Sequence, residues 1–179
     1  MGVEIEKKYR LTRERHELLV RCLRESGATH VRDEFEENTL YAGGQLDLSR
    51  QVLRLRRVGN RAVLTYKERF TSESSIKRHR EDETGVEDAQ GLADILDALG
   101  YKPTLVYEKR RATWKLKGAE VVVDELPFGL FVEIEGEEDT ITEVEQLLAL
   151  TEEEPATYPD LARQYGEKRG DIIESRFIS

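Results

Sequence analysis

One cysteine, Cys22, among 179 residues rules out an internal disulfide. It falls between Leu19 and Leu23 in a helical pattern, where a small buried apolar residue is the expected role. No apolar run is long enough to span a membrane, and Val3-Glu4-Ile5-Glu6 does not resemble a secretory signal. Gly2 is followed at position 6 by Glu rather than the Ser or Thr that myristoylation wants. No membrane partner is therefore expected, and a cytoplasmic location follows. Long basic runs are also missing, and the net charge is −9, so nucleic acid is not an expected partner. Neither G-x-x-x-x-G-K-[ST] nor G-x-G-x-x-G occurs. Any phosphate would have to be held by side chains instead of a glycine-rich backbone cradle. His16, His30 and His79 lack zinc-like spacing and suggest structural or surface roles. No Ser or Cys has a convincing partner for nucleophilic catalysis.

What is present is charge set in regular apolar periodicity. Charged residues make up 36% and hydrophobic residues 38%, and apolar periods run nearly end to end, which argues against disorder. No repeat or linker divides residues 1–179, so one domain is expected. Period-two alternation predicts strands near Val3–Arg10, Thr29–Tyr41, Gln51–Val58, Arg61–Phe70 and, with heavier charge, Ile76–Gly85. Gly59-Asn60 reads as a hairpin turn, and Thr71–Ser75 as a mobile loop. Further strands are expected near Tyr101–Leu116, Ala119–Glu125 and Leu130–Gly136. Helices are expected after a Thr12 cap, around Leu92–Leu99 ending at Gly100, around Ile141–Leu148, and at Tyr158–Tyr165. The tail beyond is unassigned. Antiparallel strands with a few helices make this α+β, not the βαβ alternation of a parallel sheet.

Side chains two apart on a strand share a face. Glu4, Glu6 and Lys8 therefore lie opposite Val3 and Ile5, and Arg54 and Arg56 opposite Leu53 and Leu55. Thr65 shares a face with Lys67, and Lys109 with Arg111 and Thr113; Glu133 and Glu135 oppose Val132 and Ile134. An ordinary half-exposed sheet with a wet outer face would give the same alternation. Two features favour an enclosed polar face. Helices must cover the apolar faces, which lets the strands close with polar faces inward. The charges also segregate into a cationic set (Arg54, Arg56, Lys67, Lys109, Arg111) and an anionic set (Glu4, Glu6, Asp124, Glu133, Glu135). Arginine forks match phosphate oxygens, and carboxylates bind Mg2+ or Mn2+. Glu4 and Glu6 would stand roughly 7 Å apart at ~3.4 Å rise per residue.

The segments that carry these charges form an ordered series. Glu4-Ile5-Glu6-Lys7-Lys8 is followed by Leu53-Arg54-Leu55-Arg56, Leu64-Thr65-Tyr66-Lys67, Glu108-Lys109-Arg110-Arg111, Asp124-Glu125-Leu126-Pro127 and Phe131-Val132-Glu133-Ile134-Glu135-Gly136. The series resembles the CYTH superfamily, the triphosphate tunnel metalloenzymes, from Val3 to Gly136 and on to Tyr158-Pro159-Asp160-Leu161. The resemblance implies an eight-stranded antiparallel barrel forming a tunnel, with helices outside. It implies a small-molecule triphosphate against Lys8, Arg54, Arg56, Lys67, Lys109 and Arg111. It implies Mg2+ or Mn2+ on Glu4, Glu6 and Glu133, with Glu135 and Asp124 as further candidates. Catalytic roles would fall on Glu4, Glu6 and Lys8. Glu81 and Glu83 resemble the family's mid-chain acidic pair, with a register blurred by Lys77-Arg78-His79-Arg80.

Activities in that family include inorganic, thiamine, nucleotide and RNA triphosphatases and class IV adenylyl cyclases. Triphosphate hydrolysis is the first expectation, cyclic AMP formation the second, and a non-catalytic polyphosphate or nucleotide binder the third. Trp114 and Tyr107 are the candidates for a base-stacking aromatic, against core packing as the commoner role. The apolar helix faces could support a homodimer.

Overall fold

The alternation expected from the sequence closes on itself. A computed structural model describes residues 2–70 and 77–178. The eight barrel strands are β1 (Gly2–Leu11), β2 (Thr29–Ala42), β3 (Gln51–Val58), β4 (Arg61–Arg69), β5 (Lys77–Val86), β6 (Lys102–Leu116), β7 (Ala119–Leu126) and β8 (Gly129–Glu135). They hydrogen-bond in the order β2-β3-β4-β5-β1-β8-β7-β6, and β2 pairs with β6 to shut the ring. Every pairing within the ring is antiparallel. The β2–β6 seam runs from Thr29↔Lys115 to Ala42↔Lys102, with irregularities at His30/Arg32 and Leu40/Tyr41 that bend these long strands around the barrel. The loop expected at Thr71–Ser75 lies outside the described residues.

Local signals set the connections. Gly59, in the β3–β4 hairpin, and the Lys117-Gly118 turn between β6 and β7 adopt positive φ, the left-handed geometry that such tight turns require. Helix α1 (Arg13–Glu25) begins where the Thr12 hydroxyl accepts from the Arg15 amide, as the cap predicted. Helices α2 (Ala89–Ala98) and α3 (Glu138–Leu147) follow β5 and β8. Helix α4 (Tyr158–Tyr165) opens with a capping box between Thr157 and Asp160.

Three helices cover the outer wall. Leu19 and Leu23 of α1 and Ile141 and Val144 of α3 pack on Tyr9, Val121, Val132, Ile134 and Trp114. Cys22 packs half-buried at the rim of this cluster. Leu96 of α2 packs on Tyr41, Leu55 and Ala62. Helix α4 does something different. Its Tyr158, Leu161 and Ala162 join Leu40, Leu105, Tyr107, Leu126 and Phe131. Those five strand residues are in register with the cavity-facing side chains of their strands, so α4 covers one end of the interior.

Two short strands extend the sheet beyond the ring and account for part of the unassigned tail. β10 (Ile172–Ser175) runs parallel to β6 at Leu105–Tyr107, and β9 (Glu167–Arg169) pairs with β10. Beside β1, where β5 has ended, the Arg10 amide donates to the Glu152 carbonyl and the Glu154 amide to the Lys8 carbonyl, each at 2.8–2.9 Å. No helix among the described residues is long and apolar enough to cross a membrane.

Removing wall-to-helix packing should therefore loosen the barrel. Ile141 is fully buried between α3 and the wall. Ile141→Ala is expected to lower unfolding stability by about 2–5 kcal/mol, the range for such a truncation in a packed core. Urea denaturation followed by far-UV circular dichroism measures it; a loss well under 1 kcal/mol would show that α3 contributes little to the wall.

Candidate active site

The barrel encloses a cavity of about 440 Å³. Glu4, Glu6 and Lys8 of β1 line it, with Arg54 and Arg56 of β3 and Thr65 and Lys67 of β4. β5 adds Lys77, His79, Glu81 and Glu83; β6 adds Tyr107, Lys109 and Arg111; β7 adds Glu120; and β8 adds Glu133 and Glu135. The register that Lys77-Arg78-His79-Arg80 left open is thus fixed, with Glu81 and Glu83 facing inward.

Segregation by strand becomes segregation around the ring. The consecutive strands β5, β1 and β8 carry most of the inward glutamates. β6, β3 and β4 carry Lys109, Arg111, Arg54, Arg56 and Lys67 on the remaining arc. Around an eight-membered ring in this order, β8 stands across from β3 and β5 across from β6.

At the basic arc, charges buried from water satisfy one another. Arg111 grips Asp124 through Nε–Oδ1 at 2.8 Å and Nη2–Oδ2 at 2.6 Å, and also donates to Glu133 at 2.9 Å. The Tyr158 hydroxyl donates to Asp124 Oδ2 at 2.9 Å. Asp124, a candidate metal ligand from the sequence, is fully buried beside Arg111 on the neighbouring strand, with both oxygens engaged. Its geometry fits holding the Arg111 fork in place. Glu36, which the sequence did not single out, lies 3.3 Å from Lys109 and 3.4 Å from Arg56 and is 1% exposed. Burial alone would raise its pKa, but Lys109, Arg111 and Arg56 hold it well below the usual carboxylate range. Burial, reinforced by Arg111, lowers the pKa of Lys109.

At the acidic arc, Lys67 lies 3.0 Å from Glu81, 3.7 Å from Glu4 and 3.8 Å from Glu6. Burial works against the charge of Glu6, yet Lys67 and His79 keep its pKa below the ordinary value. Glu135 is different. Burial, followed by the charges of Glu4, Glu120 and Glu6, pushes it up to about 7. Three carboxylates thus lie near enough to Glu135 to oppose its ionisation, in addition to burial. The donors are carboxylates, which suit Mg2+ or Mn2+, and the buried Glu81 Oε2 accepts no well-directed hydrogen bond. These residues fit a divalent cation.

Lys8 donates to the Ala156 carbonyl and lies 4.2 Å from the Tyr158 ring centroid. Burial brings its pKa down to about 8, with Glu133 opposing and Lys77 reinforcing the shift. His79, expected in a structural or surface role, is 2% exposed and sits in the cavity wall with Nε2 2.9 Å from Glu4. Lys77 and Glu120 also reach the cavity without having been singled out. Period-two counting from Glu81 would have found Lys77 and His79 once that register was known. Of the candidate aromatics, Trp114 belongs to the outer core, and Tyr107 is buried at the cavity wall.

Comparison with known proteins agrees with this geometry. A CYTH domain family model matches residues 2–165. A Methanocaldococcus jannaschii protein provisionally named as an adenylate cyclase is 27% identical over 133 residues, 73% of this chain and 75% of that protein. The PH1012 protein from Pyrococcus horikoshii is 26% identical with a TM-score of 0.76, over 87% of this chain and 96% of that one. A Hippeastrum protein described as having a dominant triphosphatase activity superposes with a TM-score of 0.71 over 92% of this chain and 96% of that one; at 18% identity, the likeness is one of fold. With a family model spanning nearly all of the sequence and a closed charge-lined barrel beneath it, the chain belongs to the CYTH family.

Proposed function

We propose that the protein is a divalent-metal-dependent triphosphatase acting on a small inorganic or organic triphosphate inside the barrel. The observation that carries this reading is an acidic arc facing a basic arc across one enclosed cavity. A simple anion-binding site gains nothing from carboxylates beside phosphate, and a simple cation site gains nothing from Arg54, Arg56, Lys109 and Arg111. A metal–triphosphate complex uses both.

Each group has a distinct task in this reading. Arg54, Arg56, Lys67, Lys109 and Arg111 bind phosphate oxygens, and Asp124 fixes the Arg111 fork so that little orientational freedom is lost on binding. Glu4, Glu6, Glu133 and Glu135 would hold Mg2+ or Mn2+, which when bound neutralises charge on the phosphates and lowers the pKa of water. Lys8, charged below its pKa of about 8, contacts a phosphate oxygen; once deprotonated it can accept a proton from an attacking water.

A second reading, cyclisation of ATP to cyclic AMP, is favoured by the name of the M. jannaschii relative. It differs in nucleophile, in the phosphorus attacked and in leaving group: a ribose hydroxyl attacks the α-phosphate and expels pyrophosphate, whereas in hydrolysis water attacks the terminal phosphate. Product analysis on ATP with Mg2+ or Mn2+ separates the two: phosphate release supports hydrolysis, whereas cyclic AMP and pyrophosphate support the second.

Replacing both Glu4 and Glu6 by Gln should lower phosphate release from tripolyphosphate by on the order of 10²-fold or more while the circular dichroism spectrum stays native. Robust turnover by the folded double variant would sink the metal assignment. The affinity for tripolyphosphate should also fall as pH rises through about 8, because Lys8 is cationic below that value and neutral above it. Lys8→Arg keeps the charge and should remove this component of the pH dependence. Calorimetric titrations at pH 7 and 9 measure the difference, and parallel profiles for both proteins would exclude Lys8 as its source.

A further inference from the structure

The acidic arc contains one donor that is not an oxygen. His79 stands directly opposite Glu4 in the antiparallel β1–β5 register and shares its face with Glu81, two residues on. One ligand atom each from Glu4, His79 and Glu81 lies within 4.8 Å of the others. Donors around one cation at bond lengths of about 2.0–2.2 Å lie within roughly 4.4 Å of each other, so small side-chain rotations suffice to bring these three onto one ion.

Two observations indicate that this spot takes a cation. The Glu81 side chain is 9% exposed, and its Oε2 has no hydrogen bond of good geometry although the Lys67 ammonium approaches to 3.0 Å. That ammonium lies within 4 Å of Glu81, Glu4 and Glu6 together, a tethered positive charge seated among the same carboxylates. Its four-carbon stem is flexible enough to turn toward a bound phosphate when a divalent ion takes over the carboxylates.

We propose that Glu4, His79 and Glu81 hold a first-row transition cation such as Mn2+ in preference to Mg2+, through a mixed imidazole–carboxylate donor set. This rests on the reading of the barrel as a metal-dependent site; it adds His79 and Glu81 as donors to the carboxylates named there, with Glu4 common to both, and specifies which metal the site selects. Mg2+ favours oxygen ligands and retains its waters, whereas an imidazole nitrogen adds affinity along the transition series. His79 Nε2 and Glu4 Oε2 lie 2.9 Å apart, and both would turn to the cation as ligands, with the imidazole N–H on Nδ1.

Mn2+ bound to the full chain, observed by pulsed electron paramagnetic resonance, tests the donor set directly. The expected result is nitrogen modulation of the Mn2+ echo that changes when the histidines carry 15N and disappears in His79→Gln. In that variant, Mn2+ affinity should fall at least about tenfold, since even outer-sphere changes at metal sites cost that much. Mg2+ affinity, read by competition, should change far less. The labelled wild-type measurement needs no variant, so it stands even if His79→Gln fails to fold. Tightly bound Mn2+ without nitrogen modulation would overturn the His79 assignment and leave the metal-dependent reading intact. No binding of Mn2+ or Mg2+ at millimolar concentration would overturn both.

Discussion

Everything in this barrel depends on where its charges can go once the ring closes. Closure converts a face that would have been wet into the lining of a cavity, where an unpaired charge is far costlier than at a surface. The answer at the basic arc is internal pairing. Asp124, fully buried, meets the Arg111 fork and the Tyr158 phenol; Glu36 meets Lys109 and Arg56. Such networks are poor sources of stability but good sources of fixed geometry. The basic groups therefore face the cavity with limited freedom to rearrange. At the acidic arc, burial, followed by the charges of Glu4, Glu120 and Glu6, raises the pKa of Glu135.

The same closure divides the interior along its length. Near α4 the inward positions are Leu40, Leu105, Leu126 and Phe131, and Tyr158 and Leu161 pack among them. Farther along the same strands, the inward positions become charged. Hydrophobic packing thus holds one end of the barrel while ion pairing organises the rest. Tyr158 belongs to both, since its ring packs against Phe131 and its hydroxyl reaches Asp124. The outer wall owes its order to ordinary burial, with α1 and α3 on one side and α2 on the other.

Much of this was legible because a strand's period of two is rigid. Once Val3 and Ile5 are outward, Glu4, Glu6 and Lys8 have no other side to take, and the same holds at Arg54/Arg56 and Glu133/Glu135. Caps were legible for a similar reason: Thr12 and Gly100 mark ends through backbone chemistry. What stayed hidden lies where charge is continuous. Arg32-Asp33-Glu34-Phe35-Glu36-Glu37 has nearly the same polarity on both faces, so nothing local marks Glu36 as buried. Lys77–Glu83 hides His79 in the same way. Asp124 was assigned to the correct strand and face, but only the pairing Arg111↔Asp124 reveals that its oxygens are already spoken for. β9 and β10 escaped because short strands added to an existing edge need little periodicity of their own.

Those last two strands determine how the sheet meets its surroundings. Where β7 no longer accompanies β6, β10 occupies the margin at Leu105–Tyr107, and β9 becomes the outermost ribbon. It is three residues long, and all of them, Glu167, Lys168 and Arg169, are exposed and charged. A neighbouring molecule seeking to add its own backbone there would find a docking rail too brief to register and would have to strip water from ions to use it. A protein built around a closed cylinder thereby finishes this margin in a form that discourages polymerisation.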